Sequence, residues 1–212
     1  MKKRSFNLPV TYMSRIDGVV DWYAGMYFSE DMLDLYDVEQ KIKSGKDFSG
    51  NKIYLIHHPD GAVYVPFETR ANVYYGEPVW DKDQFGILAV DFSAGEIIVY
   101  TYIPGSDPMV LVTIPLSSVK DCYNLNLEIS PWTLGRWSGD KYEMIWPIRK
   151  AFHLKEKESV LYRNGNVLYL SRWMENPHYH EYVVTVDINT GEEINVERGS
   201  LYLMPDGTFW NV

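Results

Sequence analysis

The sequence predicts an all-β chain built from antiparallel hairpin repeats, with one helix near residues 29–44. Three observations predict it. The stretch from Glu158 to Glu197 holds four β-like runs, at 160–163, 166–173, 182–187 and 193–196. They are separated by Asn164-Gly165, by Met174-Glu175-Asn176-Pro177 and by Asn189-Thr190-Gly191, where Gly and Asn supply the positive φ that tight turns need. Aromatic residues make up 15% of the chain, with 17 Tyr and 7 Trp, a composition that suits pleated, half-buried surfaces. The same turn chemistry recurs along the chain, in Ala89–Ile97 and Thr185–Glu193 and around Asp60-Gly61, Asn164-Gly165 and Asp206-Gly207.

Taken from the N-terminus, residues 7–13 and 17–20 read as an opening hairpin turned at Asp17-Gly18. The helix follows. Ser29 is placed as its N-cap, Glu30 and Asp31 sit in its first turn, Lys41 and Lys43 in its last, and Gly45 stops it. Phe28, Met32, Leu35, Tyr36 and Ile42 fall near one side, which predicts a helix packed on a sheet with Asp34, Asp37 and Glu39 facing outward. Residues 53–57 and 62–67 form one predicted hairpin, and 85–91 and 96–103 another. Strands at 109–116, 124–129 and 142–147 come next, and residues 131–139, rich in Trp and Gly, read as a long loop. The block 150–157 alternates in charge and reads as a solvated face, and a last hairpin is placed at 201–204 and 208–212.

The order of elements over 159–196 resembles a blade of the kelch-like or quinoprotein-like β-propellers: a tight Asn-Gly hairpin, an aromatic second strand, a strand ending in Val-Asp, then Gly-Glu and an outer strand. The echo of Ala89–Ile97 at Thr185–Glu193 lies about 96 residues on, close to two repeats of about 48. That resemblance implies a small or incomplete propeller-like fold of about four blades. A multi-hairpin sandwich or barrel is the alternative, and the family's kelch double glycine and quinone-site motifs are missing. A single all-β domain over residues 1–212 is the expectation.

Charge narrows the function classes. With 20 Lys and Arg against 29 Asp and Glu, the formal charge is −9, so a nucleic-acid backbone is repelled overall. No run of apolar residues approaches a membrane span, no secretory h-region follows Lys2-Lys3-Arg4, and the lone Cys122 fits a reducing compartment, so a cytoplasmic location is expected.

Candidate chemistry is sparse. His178 and His180 alternate on a strand-like segment in the spacing of a zinc-chelating pair, but a third ligand would have to come from elsewhere, and histidines in a loop after Asn176-Pro177 are more often simply solvent-exposed, which is the favoured reading. No nucleophile elbow, zinc-protease helix, P-loop or dinucleotide fingerprint is present, so no catalytic residue and no cofactor is assigned. Trp132, Arg136 and Trp137 have the composition of an interface hot spot, and the competing expectation is that both indoles fold under the sheet. The function read from these features is a non-enzymatic module that binds a protein partner through its loops. A carbohydrate-binding or carboxylate-dependent glycoside-hydrolysing protein is one alternative, with Trp80, Trp132, Trp137, Trp146 and Trp173 as stacking candidates. An acidic inhibitor or immunity-type protein is the other.

Overall fold

The structure, a computed structural model, describes residues 3–128, 131–204 and 206–212. Its strands form four antiparallel sheets in chain order and a terminal hairpin. The first sheet holds β1 (Tyr12–Arg15), β2 (Trp22–Phe28), β3 (Asn51–His57) and β4 (Val63–Tyr64). The second holds β5 (Val73–Tyr75), β6 (Val79–Asp81), β7 (Gln84–Asp91), β8 (Glu96–Tyr102) and β9 (Met109–Pro115), with β5 and β6 both pairing with β7. The third holds β10 (Asn126–Glu128), β11 (Thr133–Ser138), β12 (Lys141–Trp146) and β13 (Lys150–His153). The fourth holds β14 (Glu158–Asn164), β15 (Val167–Met174), β16 (His180–Asp187) and β17 (Glu193–Arg198), and β18 (Leu201–Leu203) pairs with β19 (Phe209–Asn211). The all-β, hairpin-rich class is therefore observed, and residues 158–198 are the consecutive four-stranded sheet the sequence predicts.

The period-2 alternation of the central strands explains how the sheets stack. Along β7, Phe85, Ile87 and Ala89 enter a core shared with Met26, Ile53 and Leu55 of the first sheet. The intervening Leu88 and Val90 enter a second core with Leu127 and Leu134 of the third and with Leu125 just before it. Each face of the second sheet thus buries a separate apolar layer. A third core joins Tyr142 and Met144 of β12 to Leu168, Leu170, Val184 and Val186 of the fourth sheet. Each fully buried Leu, Ile or Phe contributes about 1.5–3 kcal/mol. The outer strands are wet by contrast: every residue of β17 is exposed, and β9 exposes Met109, Val110 and Leu111. Leu203 of β18 abuts Gly18, so the terminal hairpin reaches back to the first turn of the chain.

Several expectations are corrected. The helix, α1 (Leu35–Lys43), begins five residues later than the sequence predicts, because Asp34 and not Ser29 caps it by accepting from the Asp37 N–H at 2.7 Å. Glu30 instead bonds Lys41 and Ser49, and Met32 is exposed. Nor does Glu39 face solvent, since it is buried beneath the helix. The segment read as a loop at 131–139 is mostly the strand β11, and part of the charged block 150–157 is the strand β13. The short strands β5 and β6 were not expected at all. In the β14–β15 hairpin the paired ends are Asn164 and Val167, so the turn pair is Gly165-Asn166, with Gly165 at φ +55°.

The echo of Ala89–Ile97 at Thr185–Glu193 is real at the level of atoms. Asp91 Oδ1 accepts from the N–H groups of Ser93 and Ala94 at 3.0 and 2.9 Å, and Asp187 Oδ1 accepts from those of Asn189 and Thr190 at 2.7 and 3.0 Å. Its position differs, however. The first turn joins β7 to β8 and the second joins β16 to β17, so what recurs is a hairpin turn and not a blade of constant length.

Candidate functional site

A cleft of about 440 Å³ opens where the first three sheets meet α1. Most of its wall comes from four segments: Tyr12 and Ser14 of β1, Asp34 and Tyr36 at the start of α1, Tyr74 and Gly76 to Val79 around β5 and β6, and residues 122–127 leading into β10, with Ala24 of β2 and Leu88 of β7 behind them. Alternation along β1 turns Tyr12 and Ser14 to the half-buried side, while Met13 and Arg15 are exposed.

Phenols and carboxylates set the character of this cleft. The Tyr12 hydroxyl donates to Glu77 Oε1 at 2.8 Å. Burial first, and then that bond, holds the Tyr12 phenol above its usual pKa. Tyr74 is shifted in the same direction by burial, with the negative charges of Asp34 and Glu77 adding to it. Tyr36 and Tyr123 meet edge to face at 5.3 Å.

The wall at 121–125 is held from behind. The Glu39 carboxylate accepts from the Cys122 N–H at 2.9 Å and pairs with Lys43 at 2.9 Å. Burial, with the Glu39 charge behind it, pushes the Cys122 thiol up to about 12, far from a nucleophile's range. Arg136 grips Asp121 twice, through its carbonyl at 2.9 Å and its carboxylate at 2.8 Å, and Asn124 donates to the Trp137 carbonyl at 3.3 Å.

The trio picked out in the sequence therefore lies behind the cleft. Trp132 and Arg136 are buried, at 7% and 3% exposure, while Trp137 is 37% exposed. The stacking candidates are dispersed: Trp80 packs on Phe85 at 4.8 Å, Trp132 and Trp146 join the second core, and Trp173 lies under Lys157 at 4.8 Å.

His178 and His180 stay close, with His180 Nδ1 2.6 Å from the His178 carbonyl oxygen. Among the described residues no group of three or more His, Cys, Asp or Glu is arranged to hold a metal. His180 instead borders a shallow depression with Tyr179, Glu181, Arg198 and Tyr202. Glu181 accepts from Ser200 and from Tyr179, and those bonds, Ser200's first, hold its carboxyl below the usual range.

The terminal hairpin beside this depression has two unlike faces. Phe209 packs inward on Tyr162 and Tyr169, at 4.9 and 5.8 Å. On the other face Tyr202 and Trp210 stand directly opposite each other across the strands, 52% and 58% exposed. The cleft joins residues far apart in the chain and so carries no sequence motif, whereas the hairpin is local and only the packing of Phe209 on Tyr162 and Tyr169 decides which of its faces stays in water.

No protein-family profile matches the chain, and no curated protein matches it significantly. Among solved structures, it is similar to a chain in one titled "Crystal Structure of Mitotic Checkpoint Complex", with 12% identity, a TM-score of 0.37, and coverage of 95% of this chain and 75% of that one. A likeness so distant carries no functional argument. Among the described residues no helix is long and apolar enough to cross a membrane.

Proposed function

We propose that the protein is a non-enzymatic interaction module and that it binds a protein partner through the outer face of the β18–β19 hairpin and the neighbouring start of β16. The observation that carries this reading is the cross-strand pair Tyr202 and Trp210, which leaves two large aromatic side chains in water on one side of a small sheet. Tyr and Trp are the residues that most often anchor protein interfaces, since they bury much area for little side-chain entropy. Tyr179 extends the apolar surface, and Arg198 and Glu181 supply a polar border. The chain's charge of −9 favours a basic partner.

The test compares wild type with a Tyr202→Ala/Trp210→Ala double variant in cross-linking and capture from the native host, followed by direct binding of the purified captured protein. The reading predicts a partner that binds wild type directly and loses at least about a hundredfold in affinity for the double variant, at an unchanged melting temperature. A partner held equally by both proteins would place the interface elsewhere.

A further inference from the structure

The cleft where the first three sheets meet shares no residue with the aromatic hairpin face, and its chemistry is different. We propose that it binds an alkylammonium cation, with the ammonium group held between tyrosine rings and the carboxylates of Glu77 and Asp34.

Four observations converge on that ligand class. The volume of about 440 Å³ lies within the range of small-molecule sites. Tyr12, Tyr36, Tyr74 and Tyr123 all line it, and a tyrosine face attracts a cation through the ring quadrupole. Tyr12 donates its proton to Glu77, and this shifts electron density toward the ring and strengthens that attraction. Asp17, Asp34 and Glu77 outnumber Arg15 among the charged residues of the wall, which leaves the cleft net negative. A neutral sugar gains nothing from the excess charge, whereas an ammonium ion gains from the charge and from the rings together.

The same ammonium chemistry is offered by a free amine and by a lysine side chain of a peptide, and the experiment separates them. n-Butylammonium, n-butanol, an N-acetyl-lysine amide, a short malto-oligosaccharide and an acetylated tri-lysine peptide are titrated by calorimetry at low salt against wild type, three cleft variants and Trp210→Ala. Saturable binding of n-butylammonium without binding of n-butanol is expected. Glu77→Gln and Tyr36→Leu are expected to weaken it by at least about fivefold, and Asn126→Asp, which adds a carboxylate to the wall, to tighten it several-fold. The gain in Asn126→Asp cannot come from unfolding. Tighter binding of the lysine peptide than of n-butylammonium supports the site and assigns it to a protein side chain, and the reverse order supports it and assigns it to a free amine. Equal binding of n-butanol, binding of the oligosaccharide in place of the amines, or indifference to all three variants overturns the proposal. Trp210→Ala is expected to leave amine binding intact, so failure of the hairpin interface and failure of the cleft are separately visible.

Discussion

The hydroxyl of Tyr142 donates to Glu128 Oε2 at 2.7 Å, joining the side chain of β12 to the edge strand β10 across β11. Burial raises the Glu128 carboxyl from 4.5 to about 7, although the bond from Tyr142 pulls in the opposite direction. A carboxyl raised on folding binds its proton more tightly in the folded chain than in the unfolded one. Its contribution to stability is full below about pH 4.5 and is lost as the pH rises through about 7. Glu128→Gln is therefore expected to be more stable than wild type at pH 8, by about 1–3 kcal/mol, with the advantage fading by pH 4.5. Urea denaturation of both proteins across that range measures it.

Glu39 is expected to matter for stability because it ties α1 to the segment that leads into the third sheet. Removing its carboxylate in Glu39→Ala leaves the Cys122 N–H without its acceptor and should cost about 1–3 kcal/mol, while Glu39→Gln, which keeps a carbonyl oxygen, should cost less. Equal losses in the two variants would mean that packing, and not the hydrogen bond, is what Glu39 supplies.

The two indoles of β11 and its approach are expected to behave oppositely. Trp132→Ala opens the second core and should cost about 3–5 kcal/mol, whereas Trp137→Ala, at a partly exposed site, should stay within about 1 kcal/mol. Thermal melts of the two variants check this directly.

Cys122 should resist thiol reagents in the folded protein at pH 8, since its thiol is buried and held at about 12. Labelling with a chromogenic disulfide is expected to be complete in urea and slower by at least about a hundredfold without it. Rapid labelling of the native protein would show that the wall around residue 122 opens.

Much of the fold was legible because its signals are local. The strands β7 and β8 are near-continuous apolar runs, as strands buried on both faces are, and the hairpins of β7–β8 and of the fourth sheet turn at Gly, so the structure keeps them within a few residues. What escaped were elements decided by distant contacts. Gly135 looked like a loop glycine, yet it sits inside β11 because the Tyr142 ring lies over it: an added Cβ would fall 2.4 Å from the Tyr142 hydroxyl. The helix start was misplaced because Ser29 and Asp34 are both capable caps, and only Asp34 meets an N–H three residues on. Three-residue strands such as β5 have too few residues to show a period, and β5 exists because β7 offers it an edge. The cleft left no motif, since Tyr12, Asp34, Glu77 and Tyr123 become neighbours only after three sheets have formed.

The contact between Glu39 and Cys122 spans 83 residues, while most strand pairs join neighbours in the chain. Hairpins with short connections close quickly, and a contact across so long a loop waits until the intervening sheet has shortened it. The expected order of folding is therefore hairpins first, sheets next, and the clasp between α1 and the segment leading into β10 last. A bond made after the rate-limiting step acts on escape from the native state, so loosening Glu39 accelerates unfolding and leaves the speed of folding almost untouched.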